Sequence, residues 1–107
     1  MMKTYGVLVV DDSALMRKSI SALIESHPEF YVIGKARNGI DALEKIKLLR
    51  PALVTMDIEM PEMNGIEAVQ HIMEYDPVAV IVIANERARQ EEAMQYGAVD
   101  FLLKKYV

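Results

Sequence analysis

The chain contains no cysteine, which excludes disulfides and any thiolate metal site. It also lacks a long hydrophobic run. No stretch approaches the ~20 apolar residues of a membrane span, and the run that follows Met1-Met2-Lys3-Thr4-Tyr5 is too short for a signal peptide. Nor is there an excess of basic charge. Twelve Lys and Arg against sixteen Asp and Glu give a net charge of -4, with the two signs interleaved. Charge alone therefore argues against nucleic-acid binding. No glycine-rich phosphate-cradling loop is present, so direct nucleotide binding is not expected. The two histidines, His27 and His71, have no ligand spacing and read as surface or boundary residues. Repeats, low-complexity stretches and linkers are likewise lacking. What is present is 107 residues that are 52% apolar, enough for one modest core. The expectation is a single cytoplasmic domain over 1–107 with no membrane partner.

Apolar periodicity divides the chain into alternating segments. Tyr5–Val10 is apolar and β-branched and reads as a strand. Leu15, Met16, Ile20, Leu23 and Ile24 fall at helical spacing within Ala14–Ser26, with Ser13 as N-cap and Pro28 beyond the end. Tyr31–Ala36 is a second strand. Asn38-Gly39 marks a turn, and Ala42, Leu43, Ile46 and Leu49 give a second helix, ended before Pro51. Ala52–Met56 is the third strand, and Asp57–Gly65 is a loop. A third helix carries Ile66, Val69, His71, Ile72 and Met73 and ends before Pro77. Val78–Ile83 is the fourth strand. Arg87–Tyr96 reads as a short fourth helix with Gly97 closing it, and Asp100–Leu103 is the fifth strand.

Strands joined by helices rather than hairpins predict a parallel sheet with right-handed crossovers. The fold class is therefore α/β, a doubly wound five-stranded sheet. The flavodoxin-like order 2-1-3-4-5 sets strands one and three side by side. Its ligand crevice lies at the carboxyl ends of those two strands. Asp11 and Asp12 end the first strand and Asp57 ends the third, so all three acids converge there. Three like charges raise each other's pKa. A hard divalent cation holds such a cluster ionised, and oxygen-only ligands favour Mg²⁺ over zinc.

The segments Val9-Val10-Asp11-Asp12-Ser13, Met56-Asp57-Ile58-Glu59-Met60-Pro61-Glu62-Met63-Asn64-Gly65 and Gly97-Ala98-Val99-Asp100-Phe101-Leu102-Leu103-Lys104 resemble the receiver domain of bacterial two-component response regulators. In wording they resemble most the receivers of chemotaxis methylesterases and chemotaxis regulators. The resemblance covers nearly the whole chain in order and spacing. It implies that Asp57 accepts a phosphoryl group from a phosphohistidine on a partner histidine kinase. It further implies that Asp11, Asp12, Asp57 and the backbone carbonyl of Glu59 hold Mg²⁺. Lys104 would contact the phosphoryl oxygens, and Phe101 would be the aromatic partner of the switch. Each role is chemically sound. A carboxylate is a recognised nucleophile for phosphoryl groups, and positioning plus charge neutralisation carry the transfer.

Several positions depart from that pattern. The family's Ser or Thr at the end of the fourth strand is Ala84 here, followed by Asn85, whose amide is the available donor. The proline that usually follows the lysine is Lys105. A non-proline cis bond costs ~3 kcal/mol, so a trans bond and a less well-aimed Lys104 are expected. The fourth helix should be short, and no fifth helix follows the fifth strand. That would bare an apolar face and invite self-association. A degenerate receiver acting as a phosphorylation-independent binding module is thus the alternative reading. A Mg²⁺-dependent phosphatase with an Asp nucleophile also fits the acids, with Glu59 at the offset of its second acid, but leaves no residues for a substrate cap.

Overall fold

A computed structural model describes residues 3–107. Met1 and Met2, the first residues of the leader considered above, lie outside the described residues. Five strands, β1 (Tyr5–Val10), β2 (Phe30–Ala36), β3 (Leu53–Met56), β4 (Ala79–Ala84) and β5 (Asp100–Leu103), alternate with α1 (Ala14–Glu25), α2 (Gly39–Leu49), α3 (Gly65–Tyr75) and α4 (Gln90–Gln95). All strand pairs are parallel, in the order β2-β1-β3-β4-β5. This is the doubly wound α/β, flavodoxin-like order expected from the pattern.

Local chemistry explains the helix starts. Ser13 caps α1 by accepting the Met16 N–H at 3.2 Å. Asn38 and Asn64, which precede glycines in the sequence, cap α2 and α3 with their side-chain oxygens. At α3 the Glu67 carboxylate reciprocates to the Asn64 N–H, completing a capping box. The fourth helix is the exception, because it begins at Gln90 rather than Arg87. Arg89 supplies no side-chain cap, and Ala93 is the only buried residue of the helix. The one apolar residue of Arg87–Arg89 is Ala88, which is exposed, so nothing draws that stretch onto the sheet. Gly97, just past the end, takes φ +118°, a region that favours glycine.

The two faces of the sheet are packed unequally. On one face, Leu8, Val54, Met56, Val80, Val82 and Phe101 pack with residues of α2, α3 and α4 into the larger core. On the other face, Val7, Val9 and Ile83 meet Ile20 of α1, with Met16, Ile24 and Val107 at the margin. Among the described residues, α1 is the only α-helix on that face. Leu102, which alternates with the inward Phe101 and Leu103, is 41% exposed, and Leu23 is 54% exposed. The buried stripe of α1 is thus narrower than its periodicity suggested, since Leu15 also faces solvent. Among the described residues, no helix is long and apolar enough to cross a membrane.

Candidate functional site

Register builds the site. Val10 pairs with Met56, so the residues that follow, Asp11 and Asp57, leave the sheet side by side. Asp11 extends the ladder by donating its N–H to the Ala36 carbonyl at 3.1 Å, and Asp57 donates to the Val10 carbonyl at 3.0 Å. Both side chains are buried, Asp11 at 0% and Asp57 at 2% exposure, while Asp12 stays exposed. The three carboxylates each present an oxygen within 4.8 Å of the others. The convergence expected from the strand order is therefore realised.

Lys104 completes the pocket. It lies in a short 3-10 turn directly after β5. Its ammonium is 3.0 Å from Asp11 Oδ2 and 3.0 Å from Asp57 Oδ1. To get there from β5 it crosses the carboxyl end of β4, where Ala84 registers with Leu103. Lys105 in place of proline does not keep Lys104 out of the pocket. The described peptide bonds are all trans, as expected, and Lys104 still meets both buried acids, because two carboxylates anchor one ammonium from different strands.

The electrostatics follow from burial. Asp57 is raised from 3.8 to about 6, chiefly because burial penalises its charged form. Lys104 opposes the rise, and the charges of Asp11 and Asp12 add to it. Mutual repulsion, the cause anticipated from the sequence, is thus a smaller effect than loss of water. Burial pulls the Lys104 ammonium down, but Asp57 and Asp11 together outweigh it and hold it above the usual lysine value.

The pocket fits a hard cation on its own chemistry. Asp57 Oδ2 is buried and has no hydrogen-bond partner among the described residues, so this carboxylate oxygen stands desolvated and unsatisfied beside two further acids. That is costly unless a cation or donor completes it. All available ligands are oxygens, which matches Mg²⁺. Glu59 is exposed on the β3–α3 loop, two residues past Asp57. Ala84 is buried at the end of β4, Asn85 is exposed beyond it, and Phe101 is buried in the larger core. His27 and His71 are both exposed.

Three contributors were not singled out from the sequence. The Ser13 N–H donates to Asp11 Oδ1 at 2.9 Å, fixing that carboxylate. Arg17 donates from Nη1 to the Asp11 carbonyl at 2.7 Å. Gly65, read only as a turn residue, donates its N–H to the Ile58 carbonyl at 2.8 Å. A Cβ there would lie 2.0 Å from the Asp57 carbonyl oxygen, so any side chain would displace the acid. Arg17 leaves a faint signal. It stands four residues after the N-cap, and helical side chains lean toward the N-terminus.

This sheet order, with paired acids after β1, an acid after β3 and a lysine after β5, defines a receiver-type architecture. Residues 7–107 match the response regulator receiver domain family, and the chain belongs to that family. Among curated proteins, it is 56% identical over 107 residues to the protein-glutamate methylesterase/protein-glutamine glutaminase of Geobacillus kaustophilus, covering 96% of this chain and 31% of that protein. The protein of the same name from Pyrococcus horikoshii is 50% identical over 92% of this chain and 28% of its own length. The chain thus spans about a third of these curated relatives. Among solved structures, it is similar to the response regulator domain of Thermotoga maritima CheB, at 45% identity and TM-score 0.90 over 94% of this chain and 78% of that one. It is also similar to the CheX–CheY–BeF3–Mg²⁺ complex from Borrelia burgdorferi, at 33% identity and TM-score 0.88, covering 94% and 78% of the two chains. It is a response regulator receiver domain, similar to the receiver segment of those methylesterases.

Proposed function

We propose that residues 1–107 form one cytoplasmic receiver domain in which Asp57 accepts a phosphoryl group from a histidine kinase with Mg²⁺ bound. The observation that carries this reading is the buried Asp57 carboxylate, with Oδ1 3.0 Å from the Lys104 ammonium and Oδ2 unpartnered. Asp11, Asp12, Asp57 and the Glu59 carbonyl would hold the ion. Bound there, Mg²⁺ would neutralise charge on the transferring phosphoryl oxygens.

In the transfer, an oxygen of ionised Asp57 forms a bond to phosphorus while the phosphorus–nitrogen bond of the donor phosphohistidine breaks. The electron pair of that bond returns to the imidazole. Lys104 stays protonated, held by Asp11, and its ammonium neutralises developing phosphoryl charge. With the cation and Lys104 beside it, Asp57 is held ionised, the form a carboxylate needs to act as a nucleophile. The domain acts on its own aspartate and turns over no separate substrate. The test is mass spectrometry after incubation with acetyl phosphate and Mg²⁺. One phosphoryl group on the wild type and none on Asp57→Asn is expected. No gain on the wild type, or equal gain on the variant, would defeat the proposal.

A second reading is a phosphorylation-independent binding or self-association module. It is favoured by the 41% exposed Leu102 and 54% exposed Leu23 on the α1 face, and by Ala84 in place of a hydroxyl. Sedimentation with and without acetyl phosphate separates the two. Assembly that ignores the donor supports the second reading, and assembly that tracks the donor contradicts it.

A further inference from the structure

We propose that Arg17 is a positioning residue for the cation pocket, acting through the Asp11–Asp12 peptide. The inference rests on the proposal that the pocket binds Mg²⁺. The Asp11 carbonyl lies where β1 has left the ladder, and among the described residues no backbone N–H donates to it. Its donor is Arg17 Nη1 at 2.7 Å, in a part-buried contact. The Arg17 main chain meanwhile bonds the Ser13 carbonyl at 2.9 Å, as a helical residue should. One residue therefore fastens the first turn of α1 and reaches back past the N-cap to the strand end.

The carbonyl it holds belongs to a planar unit. The Asp11 carbonyl and the Asp12 nitrogen and Cα share one rigid plane, so fixing the oxygen orients the start of Asp12. That matters because the two acids are supported differently. Asp11 is fixed at its N–H by Ala36, at Oδ1 by Ser13 and at Oδ2 by Lys104. The exposed Asp12 side chain makes no hydrogen bond or ion pair among the described residues, yet it supplies the third oxygen of the cluster. Its aim depends on its backbone, and Arg17 controls that backbone. A charge-assisted bond from a planar guanidinium suits the task.

Positioning and plain charge predict opposite signs. As a mere cation near the pocket, Arg17 would repel a divalent ion, and its removal would tighten binding. As a positioning group, its removal weakens binding, and weakens Mg²⁺ more than Ca²⁺. Mg²⁺ demands near-ideal octahedral geometry, whereas Ca²⁺ tolerates irregular ligands. The experiment is calorimetric titration of the full chain with each ion at pH 7.5, for wild type, Arg17→Met and Arg17→Lys.

For Arg17→Met the Mg²⁺ Kd should rise about tenfold, the low end of the range for lost outer-shell partners, while the Ca²⁺ Kd changes less than about threefold. Arg17→Lys should fall between wild type and Arg17→Met. Should Arg17→Met fail to fold, Arg17→Lys decides alone, through selective weakening of Mg²⁺. Unchanged or tighter Mg²⁺ binding overturns the inference, as does equal loss for both ions. A wild type that binds no Mg²⁺ overturns the reading of the pocket itself.

Discussion

The carboxyl edge of the sheet holds two regions of different character. At the ends of β1, β3 and β5, Asp11, Asp57 and Lys104 are buried, mutually paired and pinned by neighbours. At the end of β4, between those strands, the chain runs through buried Ala84 into exposed Asn85, Glu86, Arg87 and Ala88 before the short α4. The first region gathers the acids and the lysine to which we assign phosphoryl transfer. The second, where the resemblance places the hydroxyl that reports the chemistry, offers a methyl group. Under the proposed function, the contrast places acceptance of a phosphoryl group and the response to it on separate residues, so that one can be kept while the other is blunted.

The sharpest way to break the comparison is to remove the cation that unites the pocket. Lys104→Met leaves Asp57 and Asp11 buried without a counter-charge. Breaking such a pair costs about 3–5 kcal/mol. Urea denaturation at pH 7.5 without divalent ions should show a loss of that order, smaller at pH 5, where Asp57 can take up a proton. Its rate of phosphorylation by acetyl phosphate should fall on the order of 100-fold. An unchanged stability would mean that the pocket is not the tightly coupled unit described.

Asp57→Asn should act in the opposite direction. With Asp57 raised from 3.8 to about 6, the folded chain holds a proton between roughly pH 4 and pH 6 that the unfolded chain has released. This group's contribution therefore falls as pH rises through that window. Above it, and with divalent ions chelated, Asp57→Asn should be more stable than wild type by on the order of 2–3 kcal/mol, since a tenfold change in ionisation is worth about 1.4 kcal/mol. Below about pH 4 the gap should close. A pH-independent gap would remove burial of charge as the cause.

The smallest effect on stability belongs to the β4 edge. Ala84→Thr should cost about 1–2 kcal/mol, because Ala84 is buried against the larger core but sits at the strand end, where the added atoms can lean toward the pocket. Its effect should lie in coupling. Amide shifts in α4 and β5 on phosphorylation should be larger in this variant than in wild type, and equal shifts would show that the hydroxyl is not what the edge lacks.

The sequence exposes some of this architecture and conceals the rest for identifiable reasons. Val7–Val10 and Leu53–Met56 end in acids, so the strand order alone brings Asp11, Asp12 and Asp57 together. Asn38-Gly39 and Asn64-Gly65 are readable because caps depend on chemistry within a few residues. The fourth helix starts at Gln90 rather than Arg87 because Arg87–Arg89 offers no apolar face to bury and no side-chain cap. The reach of Lys104 across β4, the clash that keeps residue 65 a glycine and the grip of Arg17 on Asp11 are all tertiary. They depend on where neighbouring backbone lies, which local pattern does not encode. The dominance of burial over repulsion at Asp57 is hidden for the same reason.

The separation between pocket and edge is tested most directly by amide NMR of the wild type titrated with beryllofluoride and Mg²⁺, a phosphoryl mimic. The account predicts saturable shifts at residues 11–13, 57–65 and 104, with small changes across α4 and β5. An absence of shifts at Asp57 and its neighbours, or changes in α4 and β5 as large as those in the pocket, would contradict it.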